Sequence, residues 1–376
     1  MKVGIITFWH STENYGQILQ CYALQQFLRN IGYDAFLIKY TPQSYPIKEI
    51  RYRDVLFVGF KIMYLLNLRN LRMSMRFRKF AKQSTCSVSR HFDLFFSKHI
   101  IATEKTYHQH SLYDNPPKAD IYITGSDQVW RMPDECYFLD FVPDHTIRIA
   151  YAPSFGNDNI PWFFQIRIRR FLSKFNAIFT REESGQKICS SLGRKDAKMV
   201  PDPTLLLDTI QYEELIPSHI SYKKSRYLFL YMLGNKTDVK ESEVYTWAKQ
   251  HDIVIKHVAS CGGADHEGSL YPNIEEWIAL IRDAEYIVTN SFHGMVFSIL
   301  FNKRFVVLPL SGEFARMNDR LYTTTTQLGL SSRVFDGHFD MLLQPIDYTE
   351  INKLLIKQRE EIKDMFSKYQ AAPQAW

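Results

Sequence analysis

Short β-branched and aromatic runs alternate with amphipathic stretches along most of the chain, the pattern of strands and helices built around parallel sheets. The clearest example is 273–308. Asn273 precedes Ile274, Trp277, Ile278 and Ile281, which recur at i, i+3, i+4 and i+7 on one helical face. Glu276 stands where a capping box needs it. A short strand is expected at 286–289, polar Asn290-Ser291-Phe292-His293-Gly294 interrupts it, an apolar helix resumes at 295–301, and a buried strand follows at 304–308. A strand that turns into a helix N-terminus offers free N–H groups and the positive end of a dipole, a setting for an anion. In open α/β sheets such turns gather at the carboxyl edge, where ligands bind. Ser291 and His293 are therefore expected on a ligand edge.

The same strand-then-polar-turn pattern recurs upstream. Strand 3–8, helix 17–29 and strand 33–40 form a βαβ unit whose loop holds Asn14, Tyr15 and Gly16. It has no G-x-G-x-x-G, so a dinucleotide site is not supported. Strand 119–124 runs into Gly125-Ser126-Asp127-Gln128-Val129-Trp130, where Asp127 suits either a base on a hydroxyl or a cap on the turn. A strand at 148–152 precedes Pro153-Ser154-Phe155-Gly156, and a helix starts at Pro161. Strand 177–180 ends in Arg181-Glu182-Glu183-Ser184-Gly185. Arg181 thus emerges at the carboxyl edge, suited to bidentate capture of phosphate or carboxylate. Pairing with the adjacent Glu182 or Glu183 is disfavoured. After a last strand at 197–200, Pro201-Asp202-Pro203-Thr204 reads as a linker.

The second half repeats the alternation at 227–233, 238–250 and 253–257, then a Gly-rich loop at 260–269 leads into 273–308. A polar, cationic stretch at 311–320 carries Asn318 and Arg320, and a charged helix at 348–369 is expected to pack back across the first half. The expected organisation is residues 1–203 as an α/β domain with a basic helical insertion at about 51–90, 204–345 as a second Rossmann-like domain, and 346–376 as a terminal helix. Two such halves, each with polar carboxyl-edge turns, imply facing Rossmann-like domains with a cleft between them, the GT-B-like arrangement.

Composition narrows the function. With 376 residues, 45% of them hydrophobic and 15% aromatic, the chain has ample material for two cores. A net charge of +6 is too mild to argue for nucleic acid and fits an anionic small substrate or a membrane surface. The basic residues of 51–90 alternate with apolar ones, as in helices that lie on anionic membranes; a surface insertion packed on its own domain is the alternative. Five scattered cysteines without a C-x-x-C pair point away from disulfides and zinc, and His91, His99, His108 and His110 have no metal spacing and suit solvated loops. No metal or cofactor is expected. The opening residues suit a first strand better than a signal peptide, and a cytoplasmic location is expected; peripheral contact at the inner face of the membrane through 51–90 follows only if that stretch is not packed on its own domain, the reading favoured for it.

Taken in order, the Asn14-Tyr15-Gly16 loop, Gly125-Ser126-Asp127 with Trp130, the Arg181–Gly185 string, Asn290–Gly294 and the Asn318-x-Arg320 spacing resemble the motifs of the polysaccharide pyruvyl transferase family. The resemblance covers about 1–40, 119–207 and 227–330. It implies transfer of a pyruvyl group from phosphoenolpyruvate to two hydroxyls of a lipid-linked or nucleotide-linked sugar, giving a ketal and releasing phosphate. On that reading Arg181 and the turn Asn290, Ser291, Gly294 bind phosphoenolpyruvate, and His293 is the general acid or an anion contact. Asp127 is the candidate base, Ser126, Asn14, Tyr15 and Gly16 lie at the substrates, and Asn318 and Arg320 form a secondary anion or closure element. A nucleotide-sugar glycosyltransferase and a non-enzymatic, membrane-associated glycan assembly factor remain as alternatives.

Overall fold

The computed structural model describes residues 1–42, 88–234, 237–260 and 268–370. The basic stretch at 51–87 and most of the Gly-rich loop lie outside them.

Among the described residues, ten short strands fall into two wholly parallel sheets. The first joins β1 (Lys2–Ile6), β2 (Asp34–Leu37), β3 (Ile121–Thr124), β4 (Ile147–Tyr151), β5 (Ala177–Thr180) and β6 (Lys198–Met199) in the order β2-β1-β3-β4-β5-β6. The second joins β7 (Tyr227–Tyr231), β8 (Val254–Val258), β9 (Tyr286–Thr289) and β10 (Arg304–Val307) in the order β10-β9-β7-β8. Their inner strands are buried on both faces, so their sequences read as continuous apolar runs rather than alternations. The expected α/β class with two parallel-sheet domains is what is observed.

Each sheet reverses its winding once. In the first, β2 lies on one side of β1 and β3 on the other; in the second, β8 and β9 flank β7. Ligands in open α/β sheets bind at such switch points. Side chains tie both crevices together. Thr7 Oγ1, just past β1, donates to the carbonyl of Ser126, just past β3, at 2.7 Å. Asn290 Oδ1, just past β9, accepts from the N–H of Leu233 near β7, at 2.6 Å.

Helix termini were harder to place from sequence than strands. The helix expected at 17–29 spans Tyr15–Asn30, with Asn14 as N-cap accepting from Gln17 N–H at 3.2 Å. The helix expected from 295 starts at Phe292 and runs to Leu300, which puts His293 in its first turn. Asn273 and Glu276 do form the capping box of Ile274–Asp283. Three of the four histidines expected in solvated loops are not there: His99 ends the Phe92–His99 helix with its ring 4.7 Å from Phe95, His108 precedes the short helix Gln109–Asp114 with Nδ1 bonded to the Thr41 carbonyl at 3.0 Å, and His110 lies within that helix.

One apolar cluster runs through both halves. At its centre Tyr15, from the first half, stacks on Trp277, from the second, with ring centroids 4.9 Å apart and nearly parallel. The terminal helix Thr349–Gln370 buries Ile362 and Phe366 in the same cluster. Tyr33 donates to the Phe366 carbonyl at 2.7 Å and Arg359 to that of Leu205 at 2.8 Å, so this helix straps the first half. No described helix is long and apolar enough to cross a membrane.

Candidate active site

Where the two sheets' carboxyl edges meet, side chains from five distant stretches converge. Arg181 leaves β5 and is almost wholly buried. Its Nη1 donates to Asp202 Oδ2 at 3.0 Å and to Ser126 Oγ at 3.2 Å, and its Nε reaches Glu182 Oε2 at 3.3 Å. The expectation that Arg181 would not pair with its neighbour was wrong. The two side chains meet at the bend after β5, and Ser154 Oγ bonds the other oxygen of Glu182. Arg181 Nη2, also buried, has no protein partner.

Asp202 comes from the stretch read as a linker. Its Oδ1 accepts from Thr204 N–H at 3.0 Å and Thr204 Oγ1 at 2.7 Å, while Ser126 Oγ donates to Oδ2 at 3.0 Å. Burial alone would raise this carboxyl; His293, Arg181 and the Thr204 bonds outweigh it and hold the pKa down to about 2. Asp202 is therefore a carboxylate at any physiological pH. Sequence reasoning missed it, although a carboxylate just past a predicted strand satisfied the same edge rule that found Asp127.

From the second half, the Phe292–Leu300 helix points its N-terminus at this cluster. Ser291 caps it, accepting from Gly294 N–H at 3.3 Å. Gly294 is small because a Cβ there would lie 2.6 Å from Thr289 Oγ1. The first N–H groups of any helix have no intrahelical acceptor. His293 Nε2 lies 3.7 Å from Asp202 Oδ1, within ion-pair reach but beyond a hydrogen bond, and it has no hydrogen-bond partner. Its ring rests on the first half: a Cβ on Gly16 would sit 1.9 Å from His293 Nδ1. Burial is the main force lowering the His293 pKa, to about 4; Asp202 and Asp127 oppose it, and Arg181 and Arg320 add to it. At neutral pH the ring is uncharged.

Arg320 and Arg181 share one aromatic platform, with guanidinium carbons 5.2 and 5.0 Å from the Phe292 ring centre. Among the described residues Arg320 has no hydrogen bond or ion pair, and burial together with Arg181 lowers its pKa to about 10. Asp127 sits half-buried at φ +77°, a left-handed conformation rare outside glycine and tolerated by Asp. Its Oδ1 accepts from Gln128 N–H at 2.8 Å, and its backbone bridges to Ser154 at 2.9 Å. Asp127 is close enough to act electrostatically on His293, Arg181 and Arg320. A small hollow lined by Gln128, Ser154, Gly156, Glu182, Arg316 and Arg320 adjoins the cluster. Contacts between the halves close around it: Asp319 Oδ2 accepts from Ser184 N–H at 2.9 Å, and Arg316 lies 3.8 Å from Asp158.

Several residues expected at the substrates hold the scaffold instead. Asn14 caps a helix. Tyr15 is fully buried, its hydroxyl donating to the Pro272 carbonyl at 2.6 Å and accepting from Arg90 at 3.3 Å. Asn318 clamps the Leu310 backbone with two bonds of 2.8 Å. Gly16 serves by making room for His293. Asn290 bonds Leu233 through Oδ1, yet its buried Nδ2 has no hydrogen-bond partner among the described residues. Asp127, Ser126, Arg181, Asn290, Ser291, His293 and Arg320 do gather at the seam. No group of three His, Cys, Asp or Glu among the described residues could hold a metal ion.

The family model for polysaccharide pyruvyl transferase matches residues 14–312, a span that holds every cluster residue except Arg320. The chain belongs to the polysaccharide pyruvyl transferase family. No curated protein matches the sequence. Among solved structures, a UDP-GlcNAc 2-epimerase from Methanocaldococcus jannaschii in complex with UDP-GlcNAc and UDP aligns at 12% identity and a TM-score of 0.48, covering 98% of this chain and 100% of that one. The glycosyltransferase SnogD from Streptomyces nogalater aligns at 13% identity and a TM-score of 0.42, covering 97% and 96%. This likeness is too loose to say anything of activity.

Proposed function

We propose that the seam transfers a pyruvyl group from phosphoenolpyruvate to two hydroxyls of a lipid-linked or nucleotide-linked sugar, forming a ketal and releasing phosphate. One observation carries the reading. Among the described residues, two buried side-chain nitrogens from different halves, Arg181 Nη2 and His293 Nε2, have no hydrogen-bond partner beside a helix N-terminus, and Arg320 makes no ion pair. Buried polar atoms are rarely left unpaired, so such a set suits an anion.

The chemistry requires a proton on C3 of the enol, attack by the first hydroxyl on C2, loss of phosphate by cleavage of the C2–O bond, and attack by the second hydroxyl on C2. Of the two hydroxyl protons, one balances the proton gained at C3 and the other leaves with phosphate. His293 is the proposed acid and Asp127 the proposed base. Arg181 Nη2, Arg320, Asn290 Nδ2 and the Ser291–Gly294 turn hold the carboxylate and phosphate as charge moves onto the leaving oxygen. Asp202 and Glu182 together outweigh the single positive charge of Arg181. A multiply charged donor therefore favours protonation of His293, so the acid becomes charged as the substrate arrives.

Phosphate release from phosphoenolpyruvate, measured with a panel of lipid-linked and nucleotide-linked sugars, tests the proposal. The acceptor should gain one pyruvyl ketal by mass. Thermal stabilisation by UDP- or GDP-sugars with none from phosphoenolpyruvate, and no phosphate release, would favour a nucleotide-sugar glycosyltransferase instead.

A further inference from the structure

Asp202 occupies an unusual place. It belongs to neither sheet, and it is held between Pro201 and Pro203 on the connection from β6 toward the second half. Proline rings fix φ at 201 and 203, and the two Thr204 bonds fix the carboxylate itself. Its other oxygen takes Arg181 Nη1 and Ser126 Oγ. Among the described residues it is the one carboxylate within ion-pair reach of both Arg181, from the first sheet, and His293, from the second. Two buried donors in different domains are thus referenced to one rigid anion.

We propose that Asp202 is a positioning residue: it aims Arg181 Nη2 and His293 Nε2 at a common anion and makes their alignment depend on how the two halves close. The inference rests on the pyruvyl-transfer reading for its chemistry, but its geometry calls only for a phosphate- or carboxylate-bearing ligand. Around His293, Asp202 and Asp127 favour the charged ring while Arg181 and Arg320 disfavour it, and the ring lies directly against Gly16. Without the Asp202 charge, the balance at the ring moves toward the neutral form, and Arg181 keeps only Glu182 as a direct ion pair.

The test uses the full chain as Asp202→Asn and Asp202→Glu, with inorganic phosphate and phosphoenolpyruvate as probes and carbon-13-labelled histidine followed by NMR. In Asp202→Asn, affinity for both anions should fall about tenfold to a hundredfold, the size expected when charged hydrogen bonds are lost. The His293 midpoint in the phosphate-loaded protein should move to lower pH. Asp202→Glu keeps the charge and misplaces it, so the midpoint should hold while turnover falls about 10²-fold. A folded Asp202→Asn protein with the wild-type His293 midpoint and wild-type phosphate affinity would reduce Asp202 to a structural residue and overturn the proposal. Should that variant not fold, Thr204→Val removes one bond to Asp202 Oδ1 and should shift both readings the same way by less; no shift again overturns it. Binding and titration are read without any ketal product. A protein that shows both shifts yet pyruvylates no acceptor would keep the positioning role and lose the transfer reaction.

Discussion

The two helix N-termini that meet at the seam are built from the same local signal and do different work. Both follow a parallel strand, both are capped by a short polar side chain, Asn14 in one and Ser291 in the other, and both place a glycine in the first turn. They touch, since Gly16 of the first lies under the His293 ring of the second. In the first, the polar atoms are already satisfied: the Tyr15 hydroxyl bonds Pro272 and Arg90, and its ring is stacked on Trp277. In the second, His293 Nε2 and Asn290 Nδ2 are buried and unsatisfied. The difference separates a terminus that assembles the seam from one that awaits a ligand, and it lies in tertiary pairing rather than in the local sequence.

The largest effects should come from the unsatisfied side, and they should split. His293→Gln removes a ring that makes no hydrogen bond, so the fold should survive while turnover falls about 10²–10⁴-fold, the range for loss of a general acid. Arg181→Ala also removes turnover, but it strands Asp202 and Glu182 in a closed interior. Breaking a buried pair costs about 3–5 kcal/mol, so this variant should unfold at clearly lower denaturant. Equal stability in the two variants, measured by urea titration, would mean the Arg181 network is not as tightly built as its distances indicate.

Gly16→Ala tests the contact between the two termini. The new methyl would lie 1.9 Å from Nδ1, so His293 must move. Alanine suits a helix interior better than glycine, so helix propensity favours the change. Turnover should nonetheless fall, by about 10²-fold if the ring is displaced by an ångström. Steady-state rates near wild type would show that the ring is free to relocate without loss.

Tyr15→Phe examines the satisfied side and should do least to catalysis. It removes one hydroxyl bonded to Pro272 and Arg90 while keeping the stack on Trp277. A stability loss of about 1 kcal/mol is expected, with nearly wild-type kcat. A large drop in kcat at unchanged stability would move Tyr15 back among the substrate contacts.

How much of this was legible beforehand follows from the same contrast. Strands and their carboxyl-edge turns could be read because period and burial are written locally: 177–180 and 286–289 were placed as observed, and Ser126, Asp127, Arg181, Ser291 and His293 were found by edge position. What could not be read was which polar atom would find a partner. Tyr15 and His293 each follow a strand, yet the partners of Tyr15, Pro272 and Trp277, lie more than two hundred residues away. Asp202 was passed over because two prolines read as a linker, and prolines describe backbone stiffness without saying what the stiff backbone presents. The Arg181–Glu182 pair is discounted because adjacent side chains pair poorly, yet Arg181 Nε reaches Glu182 Oε2 at 3.3 Å.

The pH dependence of stability is the effect whose sign is fixed most firmly. In the unfolded chain His293 takes a proton near its ordinary value of 6.5; in the folded protein burial and the two arginines delay that uptake to about 4. Between those values the unfolded state binds more protons, so stability should fall as pH drops from about 6.5 to about 4. Asp202 has the same sign in a lower window: its folded value near 2 lies below the ordinary 3.8, and its contribution is lost as pH falls from about 3.8 toward 2. Thermal melts across the upper window should therefore slope in the wild type and flatten in His293→Gln, with the other titrating groups cancelling in the comparison. Saturating phosphate should flatten the wild-type slope as well, because an anion beside Nε2 favours the protonated ring and brings the folded value back toward 6.5. A slope that phosphate leaves untouched would mean that the anion binds away from His293, and the contrast between the two helix termini would lose its chemical meaning.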